Sequence, residues 1–567
     1  MIKILRYSYR REYLSFPVVV SILIVLMSSF LHLYFFKLIK EVFDALSGGV
    51  NTEFYRLILV ILVLKVLTIV LDTISEYFLG LYRRRVSVDN QISSMKNFLT
   101  SSYDEIVKME NGDIAKIIMS DAVSLARFGP DVITLLLKNL LMLGGGMILL
   151  FIYSPLFFIT TLLFVLVYSL FNVISTRRVR QEFEKARKIA SKVMSSILQP
   201  IYNILLVKVY SFENAVLISL KRVLDIYNYA RLRASIYKHV MTGLGNFIST
   251  SYVLLILLFA GLLLEKESMS FGTIVSAIAI VQVMVSSLDS VTSFLLNLSQ
   301  AFPSYRRVSE LEKVRKERMA DGEIPLEFGI KFDKVSFEIG RRKILRGVSF
   351  EVEYGEWVGI VGKSGEGKTT LIRLLTGLFE NYGGSITIGG VEIRKINKRV
   401  LRSVVTYVPQ EDYILEGTIR ENLTVIGDHP ENKLWESLEI AGLADYVRSI
   451  GGLDVDVRHA RLILSGGERQ RLSIARAYLK GGEIFIFDEA LSQLDSVRER
   501  EIMDLMREVA GNKTVIFIAH RISTLANLDR IFVLENGKIV DEGSHEELIK
   551  KSTFYRTLCE LQLVGDI

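Results

Sequence analysis

A glycine-rich run in the second half of the chain has the residue types that bind phosphate groups. It lies between the apolar segment Trp357–Val361 and the helical pattern Leu371–Leu375, and consists of Gly362, Lys363, Ser364, Gly365, Glu366, Gly367, Lys368, Thr369 and Thr370. Glycines let backbone N–H groups approach phosphate oxygens, and a helix that begins directly after them adds a favourable dipole. We expect Lys368 to neutralise the β- and γ-phosphates and the Thr369 hydroxyl to bind Mg²⁺. The G-x-x-x-x-G-K-[ST] spacing between a strand and a helix therefore predicts a nucleotide site.

Two carboxylates, Asp488 and Glu489, follow the apolar run Ile484–Phe487. The run predicts a buried strand, and ligands bind at the carboxyl ends of strands in parallel sheets. We expect Asp488 to hold Mg²⁺ through water and Glu489 to act as the general base on the attacking water. Such a pair is, on its own, more often a solvated strand end. Its place downstream of a phosphate-binding loop favours the catalytic interpretation.

A third signal is Ser465-Gly466-Gly467-Glu468. Ser465 and Glu468 have the spacing of a capping box, which predicts that a helix begins here. Its glycine-rich N-terminus is suited to binding a phosphate. The alternative is a plain helix cap, and the length and combination of the three signals argue against it.

Length and composition predict two different domains. The 567 residues exceed one ordinary core, half of them are hydrophobic, and 23% are charged. The mean hydropathy of +0.35 is high for a soluble protein, so the apolar residues must be concentrated in part of the chain. The net charge of +7 is spread rather than gathered in one module, which argues against nucleic-acid binding. Cys559 is the only cysteine, so no intrachain disulfide is possible.

Six segments of the first 300 residues are long and apolar enough to cross a bilayer, which needs roughly 20 residues each. They are Phe16–Phe36, Leu57–Leu79, Val132–Tyr153, Pro155–Ile174, Leu244–Leu264 and Thr273–Leu298. A buried helix of a soluble core is the alternative for any one of them, and six together make it improbable. The first has no small-residue cleavage site after it, so we expect no cleavable signal peptide.

The distribution of Lys and Arg predicts the orientation of these spans. Basic residues precede span one and follow spans two and four, at Lys3, Arg6, Arg10, Arg11, Arg83, Arg84, Arg85, Arg177, Arg178 and Arg180. The other connections are short and poor in basic residues. We therefore expect a multi-pass protein of the cell (inner, cytoplasmic) membrane with both termini in the cytoplasm.

The two cytoplasmic connections are long, and neither is rich in Pro, Gly or Ser, so their composition is not that of flexible linkers. We interpret them as helices that continue beyond the bilayer and turn at their tips. The turn signals predict tips near Asn111–Gly112 and near Ser211–Glu213.

Polar and charged residues within the spans are costly unless they face a cavity or a partner. Span six contains Gln282, Ser286, Ser287, Asp289, Ser290, Thr292, Ser293 and Asn297, and spans two and three contain Lys65 and Lys138. A polar translocation pathway and interhelical hydrogen bonding are both open interpretations for the Ser and Thr residues. For Asp289 we favour the cavity.

After residue 320 the pattern changes to short strands that alternate with helices. The predicted fold is therefore an α-helical six-span transmembrane domain, residues 1–320, fused to an α/β P-loop NTPase domain, residues 321–567. The second domain carries all three phosphate-related signals.

These motifs together resemble those of an ATP-binding cassette half-transporter of the exporter type. The resemblance covers nearly the whole chain, and Leu464–Glu468 is similar to the family's LSGGE signature. Gln410 resembles the Q-loop glutamine that senses Mg²⁺, Ser492–Asp495 the D-loop, and His520 the switch histidine that contacts the γ-phosphate. The resemblance implies a second half-transporter chain, with two ATPs held between each phosphate loop and the partner's equivalent of Ser465–Gly467. The arm tips would be the coupling helices.

The chain departs from the family pattern in two places. Ile339 stands where the family usually has an aromatic residue that stacks on adenine, and Val457–Arg461 replaces the usual Gly-Glu-x-Gly segment before the signature. Both departures favour a heterodimer with a different partner chain, and a homodimer stays possible.

The expected function is export of a drug, lipid or peptide across the cytoplasmic membrane, driven by hydrolysis of ATP with Mg²⁺. The substrate is not readable from the sequence, and the direction follows only from family analogy. A nucleotide-gated channel or a regulatory subunit without pumping is the alternative. A soluble cassette enzyme that acts on nucleic acid is a third, which the six spans disfavour.

Overall fold

The structure is a computed structural model that describes residues 16–565, apart from residues 48, 51, 110, 266–268, 318–321, 341, 411–412, 459–462, 492–495 and 520. By its contacts the chain divides into two units. One is Met1–Leu99 with Glu110–Lys313, and the other is Thr100–Met109 with Val314–Ile567. The predicted Ser492–Asp495 segment and His520 lie outside the described residues.

The first unit consists of long helices, six of which are apolar enough to cross a membrane. Its helices are α1 (Phe16–Ser47), α2 (Thr52–Leu99), α4 (Asn111–Lys116), α5 (Ala122–Tyr153), α6 (Pro155–Tyr202), α7 (Ile204–Val209), α8 (Glu213–Glu265) and α9 (Phe271–Lys313), with a π-helical turn at Ile117–Asp121. The short helix α3 (Tyr103–Ile106), between α2 and α4 in sequence, belongs to the second unit. All six predicted spans are confirmed as parts of these helices. Helices α2, α6 and α8 run far beyond the length of a span, as predicted for arms that extend past the bilayer.

The first arm turns between Leu99, where helix α2 ends, and Asn111, where the returning helix α4 begins, so the predicted tip at Asn111–Gly112 lies at the end of this turn. The short helix α3 lies within the turn. The backbone N–H of Ser102 donates to the carbonyl of Arg315 (2.8 Å), and Lys316 Nζ donates to Ser101 Oγ (3.1 Å). These contacts replace the helical hydrogen bonds that α2 gives up at Leu99, and they are invisible in the local sequence.

The second arm tip is confirmed at its predicted place. Helix α6 ends at Tyr202, the short helix α7 follows, and helix α8 begins at Glu213. Ser211 has φ +51°, a left-handed conformation that reverses the chain between α7 and α8.

Polar side chains of the spans serve partly as interhelical contacts. Ser276 Oγ donates to the carbonyl of Phe36 (2.7 Å), and Asp289 Oδ1 accepts from Tyr168 OH (3.0 Å) and Asn172 Nδ2 (2.7 Å). Other span-six hydroxyls bond only to carbonyls of their own helix, as in Ser290 to Ser286 (2.8 Å). Interhelical hydrogen bonding therefore holds for part of these residues, and a polar translocation pathway stays a prediction for the others.

The second unit contains two sheets. The strands are β1 (Ile330–Ile339), β2 (Arg342–Val352), β3 (Trp357–Val361), β4 (Gly383–Ile388), β5 (Val391–Glu392), β6 (Val405–Val408), β7 (Ile484–Asp488), β8 (Thr514–Ile518), β9 (Arg530–Glu535) and β10 (Lys538–Gly543). One sheet has the order β10-β9-β3-β8-β7-β6 and is parallel except for β10. The other, β2-β1-β4-β5, is antiparallel and was not predicted.

Helices pack around the parallel sheet. They are α10 (Lys368–Leu375), α11 (Lys398–Val404), α12 (Ile419–Thr424), α13 (Glu431–Ile440), α14 (Ala444–Ser449), α15 (Gly466–Lys480), α16 (Ser496–Ala510), α17 (Ile522–Leu525), α18 (His545–Lys551) and α19 (Thr553–Gly565). Strands β3, β7 and β8 are apolar except for Asp488 and Thr514 at strand ends, because both faces of this sheet are covered. Their carboxyl ends lie side by side and carry the predicted site residues.

Candidate nucleotide site

The predicted phosphate loop connects β3, at the centre of the parallel sheet, to the N-terminus of α10. Gly365 (φ +86°) and Gly367 (φ +105°) take left-handed backbone conformations that side chains disfavour. A Cβ atom on Gly362 would lie 2.3 Å from the carbonyl oxygen of Leu534 on β9. The loop therefore has the strand–loop–helix context that its sequence predicted, and its glycines are required by backbone geometry and close packing.

Lys368, the first residue of α10, is 6% exposed and folds back over the loop. Its Nζ donates to the carbonyls of Gly362 (2.7 Å) and Lys363 (3.1 Å). Burial lowers the pKa of Lys368, while the nearby carboxylates Glu489 and Asp488 oppose that shift. The side chain thus brings a positive charge to the loop where we expect the phosphates.

Asp488, at the end of β7, is fully buried beside the loop. One of its oxygens, Oδ2, accepts from Tyr407 OH (3.0 Å), and the carboxylate also accepts from the Thr369 hydroxyl. The other oxygen, Oδ1, is buried without a hydrogen-bond partner among the described residues. Burial raises the pKa of Asp488, and the hydrogen bonds from Tyr407 and Thr369 offset part of that rise.

That unsatisfied oxygen fits a divalent cation. Mg²⁺ binds oxygen ligands and is held by one or two protein groups together with phosphates and waters. The described residues contain no cluster of three or more His, Cys, Asp or Glu side chains that would hold a metal by themselves. Asp488 with the Thr369 hydroxyl therefore suits a metal ion that arrives with the nucleotide.

Glu489 follows directly and is held from three directions. Gln410 Nε2 donates to Glu489 Oε2 (2.6 Å), Gln470 Nε2 donates to the Glu489 carbonyl (3.0 Å), and the Glu489 N–H donates to the carbonyl of Ile518 on β8 (3.0 Å). The residue has φ +53°, an uncommon conformation for a non-glycine residue that persists where its surroundings over-determine it. These contacts aim the carboxylate away from the strand and toward Gln410.

The structure joins residues that lie far apart in sequence, and two of them carried no assigned role. Tyr407 lies 81 positions from its partner Asp488, and buried Gln470 fixes the backbone of Glu489. A single sequence gives no signal for such pairings. Gln410, by contrast, was predicted and lies at the site.

The predicted capping box is confirmed at the start of α15. The Ser465 side chain accepts from the Glu468 N–H (3.4 Å), and Glu468 Oε2 accepts from the Ser465 N–H (2.6 Å). The N–H groups of Gly466 and Gly467 begin the helix. Within the described part of the chain, no hydrogen bond or ion pair connects Ser465–Gly467 to residues 362–370, so one chain does not join these two halves of the predicted site.

Two remaining positions bear on nucleotide binding. Ile339, at the end of β1, is 56% exposed and offers an aliphatic surface without a ring. Lys363 in the loop lies over the ring of Phe554 in α19, 5.4 Å from its centroid.

Comparisons with known proteins match both units. Residues 18–288 match the family model of the ABC transporter transmembrane region, and residues 345–492 match that of the ABC transporter. The lactococcin-G-processing and transport ATP-binding protein LagD of Lactococcus lactis is 30% identical over 85% of this chain and 70% of its own length. A putative export ATP-binding/permease protein of Rickettsia bellii is 27% identical over 88% of both. The solved structure of a bacterial Atm1-family ABC exporter with ATP bound has a TM-score of 0.84, with 24% identity and 98% of both chains covered.

Proposed function

This chain belongs to the ABC transporter family as an exporter half-transporter, and we propose that Glu489 is the catalytic base of the ATP hydrolysis that drives its export. Hydrolysis needs a base positioned on the attacking water and positive charge on the phosphates. Lys368 supplies that charge from the loop, with the N–H groups of residues 363–370 as further donors.

The observation that carries this proposal is the arrangement at the end of β7. Glu489 accepts from Gln410 Nε2 at 2.6 Å, directly beside Asp488 with its unsatisfied buried oxygen. Mg²⁺ bound there would neutralise phosphate charge, and Asp488, Thr369 and Gln410 are its proposed ligands. His520, the proposed γ-phosphate contact, completes the set.

Gln410 orients the base. The amide N–H donated to Glu489 Oε2 fixes the direction of the carboxylate, which is the group that we propose accepts a proton from the attacking water. Gln470 fixes the backbone of the same residue, so the position of the base depends on α15 as well as on β7. We infer that movement of α15 is transmitted to the base.

Half-transporters of this family work as dimers in the membrane. Because Ser465–Gly467 makes no bond to its own chain's phosphate loop among the described residues, we propose that it binds the ATP held by the partner chain. The exposed Ile339 and the unusual Val457–Arg461 segment favour a different partner chain. Two-tag co-purification tests this: we expect a tagged copy to recover no second copy of this chain, and recovery of equal amounts would establish a homodimer.

The basic residues that flank the spans support a cassette on the cytoplasmic side of the cell membrane. Export directed outward rests on family analogy. The name of the relative from Lactococcus refers to lactococcin G, and this describes that relative only. Here a drug, lipid or peptide class of cargo stays a proposal.

Transport itself is tested in inside-out proteoliposomes that contain the purified complex. The probes are a fluorescent phospholipid, a labelled peptide and ethidium, each tested with MgATP and with ATP plus EDTA. We expect MgATP-dependent accumulation of a probe above its outside concentration. ATP-triggered collapse of a preset gradient, without accumulation, would support a nucleotide-gated channel instead.

A further inference from the structure

Three basic side chains and one carboxylate form a cluster around His32 inside the membrane-spanning helices. His32 lies on α1, Lys65 and Asp72 on α2, and Lys138 on α5, and His32 is within electrostatic range of the other three. We call these four residues the basic groove. Helices α1, α2 and α5 pack against one another, so the groove is a feature of one helical cluster within the first unit.

Asp72 is committed to partners within the groove. Its Oδ1 accepts from Ser28 Oγ (2.7 Å), and its Oδ2 forms an ion pair with Lys138 Nζ (2.8 Å). Both carboxylate oxygens are therefore in use, and the charges of Asp72 and Lys138 cancel.

Lys65 carries the positive charge that the Asp72–Lys138 pair does not compensate. Within the described chain no carboxylate lies within ion-pair distance of its ammonium, which lies 5.6 Å from the centroid of the Phe35 ring. The side chain is exposed. His32 adds a second polar group: its Nδ1 donates to the carbonyl of Ser28 (2.9 Å), which leaves Nε2 available.

Lys65 cannot reach water by snorkelling along the helix. It stands about 12 Å from the predicted outer end of its span at Leu57 and about 20 Å from the inner end at Leu79. An unpaired ammonium at such depth is very unfavourable in lipid. The exposed face that carries Lys65 must therefore line a cavity or meet a ligand or partner.

The other acidic residues of the spans do not supply the missing negative charge. Glu76, one turn below Asp72, forms an ion pair with Arg83 (2.9 Å). Asp289 on α9 accepts from Tyr168 and Asn172 of α6, in a separate cluster. The basic groove keeps a formal surplus of one positive charge, which rises when His32 is protonated.

We propose that the basic groove binds the anionic group, a phosphate or carboxylate, of a transported amphiphile, with Lys65 as its charge partner and His32 as a hydrogen-bonding partner. The apolar walls of α1 and α2 take the alkyl part. This inference rests on the proposed export function and narrows its cargo to anionic amphiphiles. The charge of Lys65 is the feature that discriminates an anion from a cation.

The test uses the purified complex in phosphatidylcholine nanodiscs with ligands that share one alkyl chain: dodecyl phosphate, dodecylphosphocholine and dodecyltrimethylammonium. Inorganic phosphate shows whether the chain is needed. Binding is measured by equilibrium dialysis of radiolabelled ligands, and ATPase activity is recorded alongside. We expect dodecyl phosphate to bind about tenfold or more tightly than the cation, one unit charge contact being worth about a decade of affinity.

Variants of one residue test the role of charge. Lys65→Met should weaken dodecyl phosphate binding about tenfold, Lys65→Arg should restore it, and Lys65→Glu should reverse the preference toward the cation. The matched control is Lys37→Met, which removes a lysine that lies on α1 beyond the predicted span and pairs with Glu41 (3.8 Å). We expect that control to bind and hydrolyse like the parent.

Two outcomes would overturn the inference: equal binding of the anionic and cationic ligands, or unchanged anion binding in both Lys65→Met and Lys65→Glu. Binding is measured without ATP, so a protein that bound dodecyl phosphate selectively but never hydrolysed ATP would count against the proposed function alone. A protein that hydrolysed ATP without headgroup preference would count against the basic groove alone.

Discussion

At the scale of single residues, Asp488 combines two costs that its function explains. Its carboxylate is fully buried, and Oδ1 finds no partner among the described residues. A buried, half-satisfied carboxylate destabilises a fold unless a ligand completes it. We propose that Mg²⁺ bound with the nucleotide contacts this oxygen. The unsatisfied carboxylate then lowers the stability of the nucleotide-free protein and favours binding of the metal.

The first prediction concerns Asp488→Asn. Burial raises the pKa of Asp488, so the folded state holds this proton more tightly than the unfolded chain does. Folding therefore takes up a proton between the two pKa values, and the contribution of Asp488 to stability falls as the pH rises through that range. At neutral pH the nucleotide-free variant should melt at a higher temperature than the parent. The loss of stability that the parent shows as the pH rises above the ordinary carboxyl pKa should be smaller in the variant.

The same variant should lose the extra stabilisation that Mg²⁺ adds to ATP. Thermal unfolding with MgATP and with ATP plus EDTA measures this difference directly. Asp504→Asn, on the exposed face of α16, is the control and should behave like the parent. A variant at position 488 that kept the full effect of Mg²⁺ would remove Asp488 from the metal site.

The site residues fall into two groups, according to how far away in the sequence the residues that position them lie. Gly362, Lys368, Asp488 and Glu489 belong to local patterns, and their placement followed from the strand–loop–helix and strand–Asp–Glu contexts. Tyr407 and Gln470 act through contacts with residues far away in the chain, which only the sheet order brings together. The first group was predictable from one sequence, and the second was not.

At the scale of elements, the helix α15 N-terminus has a close counterpart in the same cassette. Helix α18 begins with the same capping box, in which Ser544 accepts from the Glu547 N–H (3.3 Å). Ser465→Ala and Ser544→Ala should each cost about 1 kcal/mol of stability. Loss of ATPase activity, about tenfold or more, should follow only from Ser465→Ala, because a hydrogen bond to a charged group is worth about 1.5–3 kcal/mol.

The two serine variants are compared by thermal unfolding and by ATP turnover of the purified complex. Equal turnover in both would mean that Ser465 is a helix cap and nothing more. That outcome would support the alternative interpretation, in which Ser465–Glu468 only caps helix α15.

A second element-scale prediction concerns the π-helical turn before α5. Asp121 is buried and accepts from Arg307 Nε (2.6 Å) and Nη2 (2.7 Å) and from Ser304 Oγ (2.7 Å), which ties the turn to α9. Burial alone would raise the pKa of Asp121, and the bonds from Arg307 and Ser304 reverse that effect, so the net shift is downward. A depressed carboxyl pKa gives stability that is present above the unfolded pKa and lost as the pH falls through the folded one.

Asp121→Asn should therefore cost about 1–3 kcal/mol at pH 7, a figure discounted from fully buried pairs because Arg307 is one-third exposed. The cost should shrink at low pH, where the parent loses the same bonds. Glu310→Gln is the control, since its pair with Arg306 is exposed on the same helix and should contribute nothing measurable. Thermal unfolding across pH checks both, and equal losses in the two variants would contradict the account.

Element positions show where sequence patterns stop being informative. The six spans were found because each is long and apolar. The short helices α3 and α7 within the arm turns were not predicted, because they have only four and six residues. The antiparallel sheet was missed because β1 departs from regular pairing at bulges and β5 has two residues. Pairings of that kind depend on tertiary contacts more than on local preference.

At the scale of the whole molecule, the chain contains an ATP-binding cassette and a set of spanning helices. Its membership in the exporter family implies that ATP hydrolysis in the cassette is coupled to transport through the helices. Two features of the chain are explained only by a further binding partner or ligand. The signature helix makes no bond to the phosphate loop of its own chain among the described residues, and the basic groove exposes a charge inside a membrane span. We propose a partner half-transporter for the first feature and an anionic cargo for the second.

The central claim is that Glu489 hydrolyses ATP at a site shared with the partner chain. Its most direct test is MgATP turnover by the reconstituted complex with Glu489→Gln, beside the control Glu483→Gln at the opposite end of the same strand, where the side chain accepts from Tyr354 OH (2.7 Å). We predict that Glu489→Gln lowers turnover about 100-fold or more while MgATP binding persists, and that Glu483→Gln turns over like the parent. Unchanged hydrolysis in Glu489→Gln would contradict the account.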